Sequence, residues 1–263
     1  MNPRNGPAAL SAEDVRRFHA ALARIPMRQG WFERALRVVI RAWCRAVAWR
    51  VSVTSAAPLP ERDGVPGAGC VVVTAPHRAW LEPFLLLAAW PAGAARLVWL
   101  ADGRTATRSW WRRRLLPRLG VIPITSGSGP HRYAELAAAA CERGLAVAVF
   151  PEVGPPSSPD RARRISAGFA YLALRAGAPI VPVVIGGTHH VVRGSSFSVD
   201  ILPTVDGIAS VPDPFTPAGR AQAGRLAERF EREVAAVLPE RTREADAAAP
   251  ERDRWTWLNR LLG

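Results

Sequence analysis

Val71 to Ala88 reads VVVTAPHRAWLEPFLLLA, and this stretch constrains the chain more than any other. The β-branched run Val71-Val72-Val73-Thr74 has the character of a short buried strand. Ala75-Pro76 stops it, and His77 follows at its carboxyl end. Pro83 suits a first helical position, where its missing N–H is no loss, and the apolar run Phe84 to Trp90 continues the helix. Glu82 then lies at the helix N-terminus, where the dipole favours a carboxylate. An imidazole and a carboxylate are thereby brought together at the mouth of an α/β sheet, where such sheets usually place their chemistry.

The remaining pattern repeats strand and helix. Arg96–Ala101, Gly120–Ile124, Leu145–Phe150 and Ile180–Ile185 read as strands. Between and after them, helices are predicted over Ser109–Leu119, His131–Arg143, Ala162–Ala176 and Pro217–Leu238, with Gly144 and Gly177 as stops. The alternation predicts an α/β fold with a mainly parallel sheet flanked by helices. Ser52–Gly69 is a turn-rich connector with one strand at its start, and Phe197–Leu202 reads as an edge strand.

Ser11 caps a predicted helix that runs to Ile25, before Pro26. A second helix is expected over Trp31–Val51, with Arg34, Arg37, Arg41 and Arg45 forming one basic stripe. Four internal arginines, each costing roughly 2.5–3.5 kcal/mol near a bilayer centre, argue against a membrane crossing. The helix fits a membrane interface, with guanidiniums at phosphate depth, or an amphipathic helix packed on the domain. Pro239–Arg254 reads as a charged linker and Trp255–Leu262 as an amphipathic tail. The expected organisation is an N-terminal helical membrane-contact region (1–51), an α/β domain (52–238), and a linker with C-terminal tail (239–263).

The net charge is +13, and all 35 cationic residues are arginine. Such an excess attracts polyanions: an anionic membrane surface, nucleic acid or phosphorylated substrates. Ten tryptophans beside so many arginines favour a membrane interface. No nucleic-acid motif accompanies the charge, so nucleic acid is not an expected partner. Cys44, Cys70 and Cys141 form no CxxC pair and read as reduced core residues. Met1–Arg17 is too polar for a signal peptide, which gives an expected cytoplasmic location. The Thr125–Pro130 loop lacks a P-loop ending, and no Gly-x-Ser-x-Gly elbow is present. His189-His190 has no spaced third ligand, so a surface turn is expected there and no metal.

Four segments together resemble a known family. His77-x4-Glu82 is similar to the His-x4-Asp motif of the glycerolipid acyltransferases, the group that includes 1-acylglycerol-3-phosphate acyltransferase. Leu119–Ile124, Val149–Glu152 and Ala178–Val183 are similar to the family's second, third and fourth motifs, in order and at family spacing. The resemblance implies the glycerol-phosphate acyltransferase-like α/β fold, with an N-terminal amphipathic helical hairpin for membrane contact. It implies transfer of a fatty acyl chain from acyl-CoA or acyl carrier protein to a (lyso)glycerophospholipid hydroxyl, at the cytoplasmic face of the membrane and with no cofactor.

In that reading His77 is the general base and Glu82 holds its imidazole in the correct tautomer. Glu is one methylene longer than the family's Asp, so the dyad must be re-spaced. Arg78, Gly120, Phe150, Pro151, Glu152 and Pro179 are the implied substrate-binding residues, and Arg161 and Arg164, downstream of the third motif, are candidates to reach a phosphate from a reshaped loop or else a solvated helix start. The sequence also departs from the pattern. Thr125-Ser126 follows the second motif, and Val153-Gly154-Pro155 follows Glu152, so neither of the family's phosphate-linked arginines is in place. Two alternatives stay open: a non-catalytic membrane- or lipid-binding relative, and an acyl-CoA thioesterase.

Overall fold

The five residues Val71–Ala75 are all buried, and the sheet is assembled around that strand. The structure, a computed structural model, describes residues 22, 25–26, 29–102, 116–124, 129–153, 161–189 and 191–248. Its strands are β1 (Arg50–Ser55), β2 (Glu61–Arg62), β3 (Val65–Pro66), β4 (Val71–Ala75), β5 (Leu97–Asp102), β6 (Val121–Ile124), β7 (Ala146–Val149), β8 (Glu152–Val153), β9 (Arg164–Ile165), β10 (Ile180–Gly186) and β11 (Ser196–Ile201). Its helices are α1 (Trp31–Ala46), α2 (Glu82–Ala89), α3 (Gly129–Glu142), α4 (Gly168–Ala176) and α5 (Pro217–Ala247). A 3₁₀ turn covers Leu116–Leu119.

Seven strands form one sheet in the order β1-β11-β10-β4-β7-β5-β6. Every pair is parallel except β10 with β11. The expected α/β architecture is therefore present, as a mixed, mainly parallel sheet. Alternation of side chains sends Val71, Val73 and Ala75 into a core with α3, α4 and α5. Val72, Val181 and Val183 go the other way, into a core with α1 and α2. Both faces are covered, which is why these strands read as unbroken apolar runs.

Four expectations are revised. The helix expected over Trp31–Val51 ends at Ala46, and Arg50–Ser55 is the edge strand β1. The turn is made by Ala48 at φ +58°, a residue that gives no breaker signal, and by the Trp49 indole donating to Val192 O at 2.6 Å. Consequently β11 is an interior strand, not an edge. The helix expected over Ala162–Ala176 begins only at Gly168, because Arg164–Ile165 pair with Glu152–Val153.

The last revision concerns α5, which continues through Pro239 to Ala247, so the expected linker is in part helical. A proline inside a helix costs about 3 kcal/mol. Here the turns on either side are anchored, since Leu238 and Thr242 are buried and Arg241 forks onto Asp200 of β11 at 2.8–3.1 Å. Asp200 is itself 3% exposed. Arg241→Ala would strand that carboxylate and is expected to destabilise the fold by about 3 kcal/mol. Thermal and denaturant unfolding measure this directly.

Nearly all of the predicted helix Ser11–Ile25, most of Ser109–Leu119, and the tail Trp255–Leu262 lie outside the described residues. All three cysteines are buried free thiols. Burial pushes the Cys141 thiol up to about 12 and also raises the Cys70 thiol well above its ordinary range, so neither is a ready nucleophile.

Candidate active site

β4 and β7 are parallel neighbours, so the segments leaving their carboxyl ends emerge side by side. His77 follows β4 and Phe150-Pro151-Glu152 follows β7. The two motifs are 75 residues apart in sequence, yet the Glu152 carboxylate accepts a hydrogen bond from the His77 backbone N–H at 3.0 Å.

Glu82 is the first residue of α2 and is fully buried. Its carboxylate turns back onto the loop instead of capping its own helix. Oε1 accepts the backbone N–H groups of Arg78 and Ala79 at 2.8 and 2.9 Å. Oε2 meets His77 Nδ1 at 2.8 Å. A carboxylate can only accept, so Nδ1 carries the proton and Nε2 keeps its lone pair. The longer glutamate therefore reaches the imidazole at ordinary hydrogen-bond length while it ties down two backbone donors.

The imidazole is further held by rings. Phe150 stacks on it with centroids 4.2 Å apart and an interplanar angle of 24°. Trp99 of β5 stacks on the far side of Phe150 at 5.9 Å and 10°. Trp99 carries no sequence signal for this role, because the contact depends on β5 lying next to β7.

His77 lies at a cavity of about 670 Å³ that runs from the carboxyl ends of β4 and β7 to the start of β6. Its walls are mostly apolar: Pro83, Phe84 and Leu87 from α2, Leu116 and Leu119 from the 3₁₀ turn, Val121 of β6, Tyr133 of α3, and Phe169 and Leu172 of α4. His77, Glu152 and Ser166 bring polar groups to it. Its volume lies within the range of small-molecule sites.

The remaining sequence-derived site residues separate into two groups. Phe150, Pro151 and Glu152 line the cavity. Arg78 donates through its guanidinium to the Arg161 carbonyl, so the segment bearing Arg161 and Arg164 is fastened beside the histidine loop. Arg161 and Arg164 themselves are exposed. Arg163, between them, is partly buried, with an Nε that has no hydrogen-bond partner among the described residues.

Gly120 and Pro179 do not join the site. Gly120 has φ +77°, and a Cβ there would lie 2.4 Å from the Leu97 carbonyl, so a tight turn accounts for the glycine. Pro179 precedes β10 at the opposite end of the sheet, where its carbonyl accepts the N–H of Val71. His189 pairs with Asp246 at 2.8 Å, and no group of three or more potential metal ligands occurs among the described residues.

Residues 50–186, more than half of the 263-residue chain, match the family described as Acyltransferase. The fold is similar to that of the 1-acyl-sn-glycerophosphate acyltransferase PlsC from Thermotoga maritima, with a TM-score of 0.51 and 18% sequence identity. The alignment covers 78% of this chain and 80% of that one. No curated protein matches the sequence.

Proposed function

The chain belongs to the acyltransferase family, and from that premise we propose that it moves a fatty acyl chain from a thioester donor, acyl-CoA or acyl carrier protein, to a hydroxyl of a (lyso)glycerophospholipid. The observation that carries the proposal is the dyad: His77 Nδ1 sits 2.8 Å from a buried carboxylate, on a residue that lines an apolar cavity. Nε2 takes the proton of the acceptor hydroxyl as its oxygen attacks the thioester carbonyl; the tetrahedral intermediate then collapses with cleavage of the C–S bond, and the imidazolium returns the proton to the departing thiolate. Glu82 stabilises the imidazolium that results. The apolar cavity receives the acyl chain and keeps water from the thioester. The Arg161–Arg164 segment supplies cations for an anionic head group, in place of the arginines missing from the second and third motifs. In this reading the polar groups of Arg78, Phe150-Pro151 and that segment frame the acceptor.

The test is release of free CoA from acyl-CoA, with and without lysophospholipids of different head groups. Acceptor-dependent release is the expected result. Acceptor-independent release would instead make the protein a thioesterase, and no release would leave a lipid-binding relative.

The proposed acceptor places the protein at a membrane surface, and α1 supports a peripheral attachment. No helix among the described residues is long and apolar enough to cross a bilayer. The arginines of α1 do not act as one stripe, however. Arg37 is buried at 5% exposure, and its guanidinium is pulled down to about 10 by burial first and by the Arg41 charge second. Arg41 donates to the Ala88 carbonyl at the end of α2. Glu33 faces inward as well, paired with Arg96 at 2.5 Å.

With this polar side turned inward, Trp31, Val38 and Val39 are left 62–75% exposed, and Trp80 lies 6.1 Å from Trp43 at the edge of the same surface. We expect Trp31, Val38 and Val39 changed together to Ser to weaken binding to both neutral and anionic vesicles. Arg34 and Arg45 changed to Gln should weaken only the anionic binding, and only at low salt. Vesicle co-sedimentation reads both. Unaltered binding by the triple variant would show that this face does not meet the membrane.

A further inference from the structure

Glu152 faces the cavity that holds the reacting groups, which invites its assignment to the acceptor. Its hydrogen bonds point elsewhere. Oε2 accepts the backbone N–H of His77 at 3.0 Å, and Oε1 accepts the backbone N–H of Arg163 at 3.1 Å. Both oxygens are thus engaged by main-chain donors from two segments 86 residues apart in sequence. Glu152 itself is fixed in β8 by pairing with β9, through the register Glu152↔Ile165. The residue two positions before it, Phe150, stacks on the imidazole.

We propose that Glu152 is a positioning residue that acts through His77, fastening the histidine loop to the arginine-bearing segment so that base and acceptor cations keep one geometry. The carboxylate is the right group for this task. It accepts two N–H bonds at once, and charge-assisted bonds of this kind are roughly twice as strong as neutral ones. The loop after β4 has no regular structure from Pro76 to Leu81 to hold it. Glu82 secures its far end and the ring, and Glu152 secures its near end.

This proposal rests on the acyl-transfer reading for its kinetic part only. In Glu152→Gln, one oxygen is replaced by an amide that cannot accept from an N–H, so one of the two segments loses its anchor. Glu152→Ala frees both. A positioning role predicts that kcat falls about tenfold or more in Glu152→Gln, with any rise in acceptor KM accompanying that fall, because the cation-bearing segment is released together with the base. A role in acceptor binding predicts the reverse, a raised KM with kcat kept, and that result would overturn the proposal.

The second measurement does not depend on turnover. Amide hydrogen exchange in the full-length protein should quicken by about tenfold or more in Glu152→Ala at both residues 76–80 and 161–165. Unchanged exchange at residues 76–80 would also overturn the proposal. If wild-type protein released no CoA under any acceptor, the catalytic reading would fail, and the exchange experiment would still decide whether Glu152 ties the two segments.

Discussion

Replacing His77 by Ala is expected to lower acyl transfer by a factor on the order of 10²–10⁴, the usual loss on removing a general base. The fold should survive. The His77 side chain is 44% exposed, and among the described residues its one side-chain hydrogen bond is the one to Glu82. Glu82 keeps two of its three donors, the N–H groups of Arg78 and Ala79, so the stability cost should stay near the low end of about 1–3 kcal/mol for an altered buried acceptor. Single-turnover rates of the purified variant, beside its unfolding curve, separate the two effects. Turnover at the wild-type rate would remove His77 from the chemistry.

Glu82→Gln is expected to be nearly as damaging, by way of the proton on the imidazole. Two backbone N–H groups point at Oε1, so the amide oxygen must settle there. The amide NH₂ then faces His77 Nδ1 and donates to it. The imidazole is forced to carry its proton on Nε2, where a base needs a lone pair. A loss on the order of 10²–10⁴ in kcat is expected, with little change in acceptor KM.

Glu82→Asp is the more informative variant. By motif alone, Asp restores the family's residue and should keep or raise activity. The geometry predicts the opposite. An aspartate is shorter by one C–C bond, roughly 1.5 Å, and cannot span both the imidazole and the two N–H groups that the buried glutamate now bridges. At least about a tenfold drop is expected. Full activity would mean that the loop relaxes to follow the shorter side chain.

What the sequence makes legible follows from which interactions are local. β4, β7 and β10 are buried on both faces, so each is written as an apolar run and each is found. The dyad is legible because His77 and Glu82 are joined by one short loop. β1 is legible only in part: a strand is expected from Ser52, but Arg50 and Val51 fall in the predicted helix, since neither glycine nor proline separates α1 from Arg50 and the pairing partner begins at Ser196. Two-residue strands such as β8 and β9 have no period to detect. Pro239 carries a stop signal that tertiary anchors override. Glu82 is legible as a residue beside His77 but not as a buried bridge, because its other two donors come from the loop backbone. The arginine stripe of α1 looked uniform in sequence. Only the packing shows that Arg37 is buried and that Arg41 bonds the end of α2, while Arg34 and Arg45 stay exposed.

The pairing of β1 with β11 has a temporal side. Arg50 and Ser196, aligned across that pair, are separated by 146 residues. At synthesis rates of about 5–20 residues per second, roughly 7–30 s pass between the emergence of the two strands. Until β11 emerges β1 has no sheet neighbour, while β4, β5, β6 and β7 are made well before it and β10 only shortly before it. Its composition suits the wait: Arg50, Ser52, Thr54 and Ser55 make it a poor template for pairing with another chain. β1, the strand that follows α1, is thus seated only once β11 has emerged, late in synthesis.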